Sequence, residues 1–331
     1  MKKTNYCLTF LLTVLMSVVG TKAFADDIPV NSTTFPDENF RNWVLEQDYG
    51  QDGMLTEAEI VGVNEIAVSD RNIASLKGIE YFTALTELYC FSNQLTALDV
   101  SKNTALKVLD CSLNQLTALD VSKNTALTKL FCSMNQLAAL DVSKNTALTN
   151  LDCSDNQLTA LDLSKNTALT GLVCDENQLT ALNVSKNTAL TVLYCLDNQL
   201  TALDVSKNTA LTELYCDGNQ INETEMSNLV ESLPANNGKF HVKDLNDANE
   251  QNVITTEQVA AAKAKGWKVY AWDSDASDYG EWIEYDGDTS GIDAIEKNQS
   301  AETPVYNLNG QRVNTPVNGV YIKNGRKVLA K

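Results

Sequence analysis

Seven cysteines stand 21 residues apart, and they are the side chains whose type and spacing most suggest chemistry. They are Cys90, Cys111, Cys132, Cys153, Cys174, Cys195 and Cys216. Three roles are open to them: disulfide bonds, metal binding, or burial as unreactive thiols. Disulfides suit an exported protein, but an odd number cannot all pair, and the eighth cysteine, Cys7, lies in a leader segment. A metal site needs clustered ligands, and the only histidine, His241, is not near these cysteines in sequence.

The cysteines belong to a 21-residue unit that positions them. The unit is Leu-x-x-Leu-x-Cys-x-x-Asn-Gln-Leu-Thr-Ala-Leu-Asp-Val-Ser-Lys-Asn-Thr-Ala, its first copy starts at Leu85, and its seventh starts at Leu211. Residues 63–84 form a degenerate opening copy. A fixed period of this length is typical of a solenoid with one strand per repeat. The sequence therefore predicts an α/β fold, a right-handed solenoid built around one parallel sheet.

Alternation within each unit predicts which side chains face the core. Leu88 and Cys90 alternate with Glu87, Tyr89 and Phe91, so the first set should point inward and the second outward. In-register strands lie about 4.8 Å apart, which is wider than the Cβ separation of about 3.8 Å in a relaxed disulfide. We therefore expect a ladder of buried, unpaired thiols that act as small apolar residues.

Two polar stretches of the unit carry structural predictions. The asparagine after each strand should turn inward and satisfy buried peptide groups; the set is Asn93, Asn114, Asn135, Asn156, Asn177, Asn198 and Asn219. The Asp-Val-Ser-Lys-Asn-Thr stretch favours tight turns or a short 3-10 segment. We therefore expect a turn-like convex side without long helices.

The unit resembles the internalin J-like, cysteine-ladder subgroup of bacterial leucine-rich repeats, and it is similar to repeats in surface proteins of Bacteroidetes. The resemblance covers residues 63–221. It implies a secreted or cell-surface binding protein, in many cases an adhesin, and it does not name the ligand.

The outward strand positions differ from repeat to repeat, whereas the convex segments are nearly copies of one another. Exposed aromatic and apolar side chains mark interaction surfaces, so the concave face is the predicted binding site, although aromatic residues also favour strands. The predicted binding residues are Tyr89, Phe91, Asp110, Phe131, Asp152, Val173, Asp175, Val192, Tyr194, Leu196, Tyr215 and Asp217.

Residues 26–62 are predicted to form a helix-loop-helix cap, and residues 48–59 resemble an EF-hand calcium loop. The ligands in that loop would be Asp48, Asp52, the backbone carbonyl of Met54, Thr56 and Glu59. One departure is Gly50, which stands where an oxygen ligand is usual. Calcium binding and a cap that has lost the ion are both open.

The C-terminal part is predicted to hold three segments. Residues 222–272 suggest an αβ cap, and the acidic residues 273–298 suggest a solvated linker. Residues 299–331 suggest a small β-module, because Asn-Gly turns separate alternating apolar runs. This module is similar to C-terminal sorting domains of the type IX secretion system, which implies a sorting role; a small domain without such a role is the alternative.

Residues 1–25 have the features of a cleaved signal peptide, with cleavage after Ala25. Loss of the three lysines in that leader takes the formal net charge from −18 to −21. Such acidity disfavours nucleic acid as a partner. No stretch suggests a membrane anchor, and we expect a monomer.

The function expected from these features is binding of a protein or glycan, for example at a host surface. A structural surface component without a specific ligand is one alternative. An enzyme is the other and the less favoured, because no motif pairs groups for acid–base or nucleophilic catalysis.

Overall fold

The structure is a computed structural model that describes residues 27–277 and 279–288, and the backbone of strands at 305–307, 312–313, 319–323 and 326–330. The predicted signal peptide lies outside the described residues.

An N-terminal cap precedes the repeats. Its elements are β1 (Ile28–Pro29), α1 (Glu38–Glu46), β2 (Met54–Leu55) and α2 (Glu57–Ile60). Asp37 begins α1: one carboxylate oxygen accepts the N–H of Phe40, and the other accepts the N–H of Ala74 at 2.8 Å. The apolar face of α1 is buried. The cap is therefore packed and hydrogen-bonded onto the first turn of the solenoid, whose open end would otherwise expose its core.

One eleven-stranded sheet runs through the solenoid and into the C-terminal segment. Its strands are β3 (Glu65–Ala67), β4 (Glu87–Tyr89), β5 (Val108–Asp110), β6 (Lys129–Phe131), β7 (Asn150–Asp152), β8 (Gly171–Val173), β9 (Val192–Tyr194), β10 (Glu213–Tyr215), β11 (Lys239–Asp244), β12 (Lys268–Asp273) and β13 (Glu281–Glu284). Neighbours pair in chain order, parallel from β3 to β12, and from β3 to β10 equivalent residues of each repeat stand opposite one another. The predicted parallel solenoid is confirmed.

Each turn buries the same layer of side chains. In the first full repeat Leu85, Leu88, Cys90, Leu95 and Val100 have no exposed surface. All seven repeat cysteines are unpaired and buried, as the strand geometry predicts. The convex stretches between β4 and β10 contain turns and no helix; a 3-10 helix lies earlier, at Ile79–Tyr81.

Two rows of asparagine hold the turns together. In the predicted row, Asn156 accepts the N–H of Leu137 and donates to the carbonyls of Cys132, Cys153 and Ser154, at 2.9–3.2 Å. The second row was not predicted. It lies on the convex side, is fully buried, and donates to carbonyls of the preceding turn; its members are Asn103, Asn124, Asn145, Asn166, Asn187 and Asn208.

The C-terminal cap adds α3 (Glu223–Ser232) and α4 (Thr256–Ala264) between strands that continue the sheet. The prediction of a linker from residue 273 is wrong for Glu281–Glu284. These residues form β13, which pairs antiparallel with β12, because Trp282 and Ile283 supply apolar contact that the acidic composition conceals. In the tail, β14 (Val305–Asn307), β15 (Arg312–Val313), β16 (Gly319–Lys323) and β17 (Arg326–Ala330) form an antiparallel sheet.

Candidate ligand-binding face

Three outward rows form the concave face of the sheet. The central leucine of each three-residue strand points into the core, so the residues on either side of it point outward and form two rows. The residues before the leucine are the first row: Glu87, Val108, Lys129, Asn150, Gly171, Val192 and Glu213. We call the row of Tyr89, Asp110, Phe131, Asp152, Val173, Tyr194 and Tyr215 the second row. The third row lies two residues further along each repeat: Phe91, Ser112, Ser133, Ser154, Asp175, Leu196 and Asp217.

Eleven of the twelve predicted binding residues are half-buried on this face: Tyr89, Phe91, Asp110, Phe131, Asp152, Val173, Asp175, Val192, Tyr194, Leu196 and Tyr215. Asp217 is the exception, with only 5 % of its surface exposed. The loop after β11 comes close at this point, since the Glu250 carboxylate accepts the N–H of Gly218 at 2.9 Å. The expectation that Asp217 is exposed is therefore wrong.

Near the N-terminal cap, the aromatic residues of the face are separated by an acid. Asp110 stands between Tyr89 and Phe131 in the second row. The Tyr89 hydroxyl donates to the Glu87 carboxylate at 2.7 Å, and this bond and partial burial raise the Tyr89 pKa to about 12. This end of the face therefore alternates ring and carboxylate instead of presenting one apolar patch.

Near the C-terminal cap, the second row becomes a continuous aromatic stack. Ring centroids are 4.2 Å apart between Tyr194 and Tyr215, 3.7 Å between Tyr215 and His241, and 4.8 Å between His241 and Tyr270. The last two pairs are close to parallel. We call these four residues the aromatic stack. Parallel strands in register place the rings side by side. Tyr215, His241 and Tyr270 contact one another face to face, whereas the Tyr194 ring is tilted by 51° to that of Tyr215.

Trp282 closes the outer side of this stack. Its ring stands edge-on to Tyr215 and to His241, with centroids 5.6 and 4.4 Å away, and only 3 % of His241 remains exposed. Neither ring nitrogen of His241 has a hydrogen-bond partner among the described residues. Burial lowers the His241 pKa to about 4, so the ring is neutral near pH 7.

Sequence reasoning missed the cap residues of the aromatic stack and two further residues at the rim of the face. Leu113 and Met134 are each 49 % exposed and adopt left-handed backbone conformations, with φ of 55° and 52°. The residue after the third row is left-handed in every repeat: Ser92, Leu113, Met134, Asp155, Glu176, Asp197 and Gly218. The glycine at 218 was the only sequence signal for this conformation.

Carboxyl groups gather where the third row approaches the C-terminal cap. Burial, followed by repulsion from neighbouring carboxylates, raises the pKa of Asp217 to about 8 and that of Asp197 to about 6. Burial also raises the pKa of Asp175 to about 7, although its Oδ1 accepts the N–H of Leu196. A buried negative charge without a counter-ion is unfavourable, so the buried Asp217 holds a proton that an exposed aspartate would release.

The EF-hand-like loop keeps the backbone of such a loop without its ligand geometry. Gly53, at the sixth position, has φ of 80°. The Glu59 carboxylate is occupied by the N–H and hydroxyl of Thr56, both at 2.8 Å, as the capping box of α2. A Cβ at Gly50 would overlap the carbonyl of Val44. An oxygen ligand at that third position is therefore excluded by packing.

No three His, Cys, Asp or Glu side chains in the described residues are placed to hold a metal ion. Asp48, Asp52 and Glu59 thus do not converge, and this arrangement does not fit calcium.

The repeat cysteines are positioned for packing and weak hydrogen bonding. From Cys111 to Cys195, each Sγ lies 3.4–3.7 Å from the backbone carbonyl of the second-row residue in the next strand. Complete burial raises the pKa of every one of these thiols far above its usual range. A nucleophilic or redox role needs a thiol that is both accessible and ionised, and these thiols are neither.

The fold and this ladder define the class of the molecule: a leucine-rich-repeat solenoid with a cysteine ladder. The repeats are similar to those of internalin J from Listeria monocytogenes serotype 4b (strain F2365), with 41 % identity over 71 residues, which is 21 % of this chain and 8 % of internalin J. A family model described as the leucine-rich-repeat domain of the endo-β-N-acetylglucosaminidase EndoS matches residues 35–156.

Two solved structures are similar to this chain. The functional domain of internalin J from Listeria monocytogenes, which includes a cysteine ladder, is 30 % identical, with a TM-score of 0.40; the alignment covers 70 % of this chain and 61 % of that one. Internalin C2 from Listeria monocytogenes strain 4b F2365 is 24 % identical with a TM-score of 0.53, over 62 % of this chain and 94 % of that one. This chain therefore spans less than two thirds of the internalin J chains it resembles.

Proposed function

We propose that this chain is a secreted or cell-surface binding protein whose protein ligand lies along the concave face. One observation carries the proposal: side chains vary from repeat to repeat on this face, while the rest of the unit is nearly constant. The half-buried aromatic and apolar residues of the face are of the kinds that dominate protein interfaces. The similarity to internalins supports a binding role over a catalytic one.

The geometry favours a protein over a glycan. Sugar rings bind aromatic side chains by lying on their faces, but Tyr215 and His241 cover each other's faces, with centroids 3.7 Å apart. Trp282 contacts both of these rings, so the half-buried side chains of Tyr194, Val173, Val192 and Leu196 are what remain available. Such a surface suits the side chains of a protein partner.

Surface location and adhesion form the second part of the proposal. The predicted leader at residues 1–25 supports export, and the β-strands of residues 305–330 are consistent with the proposed sorting module. Among the described residues, no helix combines the length and apolar character needed to cross a bilayer. A host-surface protein is the ligand class that an adhesin role implies. A structural surface component would instead self-associate at micromolar concentration, which sedimentation measures directly.

The proposal is tested with a variant pair that differs in which side of the solenoid is altered. Phe131→Ala with Tyr194→Ala removes concave side chains, and Lys123→Ala with Lys186→Ala removes convex ones. The full chain and both variants are applied to solubilised host cell-surface proteins and to a glycan array. We expect the concave pair to weaken captured binding about tenfold or more, because each truncated aromatic anchor removes over 1 kcal/mol, and the convex pair to leave it unchanged. Equal binding by all three proteins overturns the proposal. If the concave pair weakens binding to glycans and no protein is captured, the ligand is a glycan and not a protein.

A further inference from the structure

Four carboxyl groups lie near one another at the C-terminal end of the concave face. We call Asp175, Asp197, Asp217 and Glu250 the carboxyl cluster. Asp197 contacts the next turn so closely that a side chain at Gly218 would collide with its carboxylate. Glu250 reaches the same place from the loop after β11, accepting the N–H groups of Gly218 and Asp244, both at 2.9 Å. Three successive repeats thus contribute one aspartate each to this patch, and the C-terminal cap contributes Glu250.

One oxygen of this cluster is buried and lacks a partner. Asp217 is 95 % buried, and its Oδ1 has no hydrogen-bond donor among the described residues. Asp197, Glu250 and Asp175 are the charged groups that act on it. An unpartnered buried carboxylate oxygen is unfavourable, and a cationic donor offsets that unfavourable term better than a neutral one.

The described residues do not supply that cation. Lys243 acts on the cluster through Glu250. Its ammonium group is instead held by the carbonyl of Asn252 at 2.8 Å and by the carboxylate of Asp288 at 3.0 Å. Among the described residues, no member of the carboxyl cluster forms an ion pair. The described part of the chain therefore leaves the cluster without a counter-ion.

The surroundings select the kind of cation. The carboxylates do not converge closely enough to form a metal site, so a point charge such as Ca²⁺ cannot be shared by three of them. Leu196 lies in the third row between Asp175 and Asp217, and its N–H is bonded to Asp175. Tyr215 lies beside Asp217 and is affected by its charge. An apolar wall next to spread carboxylates fits an elongated organic cation, whose stem packs while its charged end is paired.

We propose that the carboxyl cluster binds a lysine or arginine side chain of the protein ligand, with Asp175 and Asp197 as counter-ions, the buried Asp217 adding negative charge, and Leu196 against its aliphatic stem. This inference rests on the proposed function, since it assigns one contact within the concave binding face. The partner is therefore a protein that presents a basic side chain to the C-terminal end of this face.

The test uses a defined probe, an acetylated and amidated tetra-arginine peptide, added to isotope-labelled full-length chain in 150 mM salt. We expect saturable shifts of backbone amide resonances at Leu196 and Gly218. Asp175→Asn with Asp197→Asn should weaken this binding about tenfold or more, because each removes a charge-assisted contact. The matched control is Asp120→Asn with Asp141→Asn, which removes the same two charges from the convex side. Asparagine is accepted there, since Asn183 already makes the equivalent bond to Ser185.

The pH dependence separates this site from general attraction to an acidic protein. Affinity at the cluster should rise between pH 5.5 and 8.5, because Asp197, Asp175 and Asp217 lose protons near pH 6, 7 and 8. Ordinary aspartates are already ionised at pH 5.5. The other charged groups that act on the cluster are Asp152, Glu176, Asp244, Asp247 and Lys243.

Equal weakening by the cluster and convex pairs, or affinity that does not change with pH, overturns the inference in favour of unspecific attraction. Saturable shifts of the same two amides by CaCl₂ overturn it in favour of a metal. If the tetra-arginine peptide does not bind, but Phe131→Ala with Tyr194→Ala abolishes capture of a surface protein, only this inference is wrong. If that concave pair also changes nothing, the proposed function fails with it.

Discussion

The interior and the concave face are two sides of the same 21-residue unit, and they follow opposite rules. Inside, the leucine, cysteine and asparagine positions recur almost unchanged, and each asparagine serves backbone groups of its own turn and the preceding one. Outside, Glu87, Val108, Lys129 and Asn150 occupy the same position of successive strands. The packing of one repeat on the next requires that every turn satisfy its neighbour's peptide groups. The outward side chains of the repeats have no part in that packing.

This contrast shows that the concave side chains can be substituted without loss of the fold. Two places depart from the division between a constant interior and a variable face. At His241 the outward row passes beneath Trp282 and becomes interior. At the rim, the left-handed backbone conformation recurs in every repeat although the side chain there does not.

The largest expected effect comes from removing one interior amide. Asn156→Ala should lower the free energy of unfolding by about 2–4 kcal/mol, because it leaves the N–H of Leu137 and buried carbonyls without partners. Urea unfolding followed by circular dichroism measures the change. Gln157→Ala is the control, since that exposed side chain follows Asn156 directly, and it should change stability by less than about 0.5 kcal/mol. Similar losses for the two variants would contradict the distinction between the two sides.

A smaller effect tests the position where the outward row becomes interior. The His241 pKa is lowered from 6.5 to about 4 by burial, so this histidine favours the folded state above pH 6.5. That contribution is lost as the pH falls through 6.5 towards 4, because the unfolded chain binds the proton more readily. His241→Phe keeps an aromatic ring in the stack and should reduce the loss of stability between pH 7 and pH 4.5 by about 1–2 kcal/mol.

Thermal unfolding at several pH values measures this change. Tyr270→Phe is the control within the aromatic stack, because it removes only a hydroxyl and should leave the acid dependence as it is in the unaltered chain. If His241→Phe also leaves that dependence unaltered, then His241 is solvated in the folded state and the row does not become interior there.

Much of the repeat architecture was predictable because the period itself carries the information. Leu88 and Cys90 alternate with outward residues, and in-register strands cannot bring the thiols to disulfide distance; both predictions are confirmed. The inward asparagine after each strand was predictable because a buried turn needs a side-chain partner. The second asparagine row was missed, since the Ser-Lys-Asn-Thr sequence is equally suited to an exposed turn.

The candidate site was predictable only where the repeat continues. Tyr194 and Tyr215 were assigned to the face by their position in the unit, but His241, Tyr270 and Trp282 follow no period. Their contribution depends on how the cap strands pair with β10, and register across long connections is a tertiary property. Asp217 was misplaced for the same reason: its position in the unit predicts exposure, and the covering loop includes Glu250, which lies 32 residues after Gly218.

The smallest expected effect concerns the rim, where a constant backbone conformation meets a variable side chain. Leu113 adopts φ of 55° with half of its surface exposed. A Cβ in this conformation costs about 1–2 kcal/mol, so Leu113→Gly should stabilise the fold relative to Leu113→Ala. Glycine's greater freedom in the unfolded chain offsets part of the gain, which leaves about 0.5–1 kcal/mol in chemical denaturation. Both variants remove the leucine side chain, so their difference isolates the backbone. Gly218 already occupies the equivalent position with φ of 65°. If the glycine variant is the less stable of the two, the left-handed conformation is not strained at this rim. The backbone then restricts the choice of residue at the rim no more than it does on the rest of the concave face.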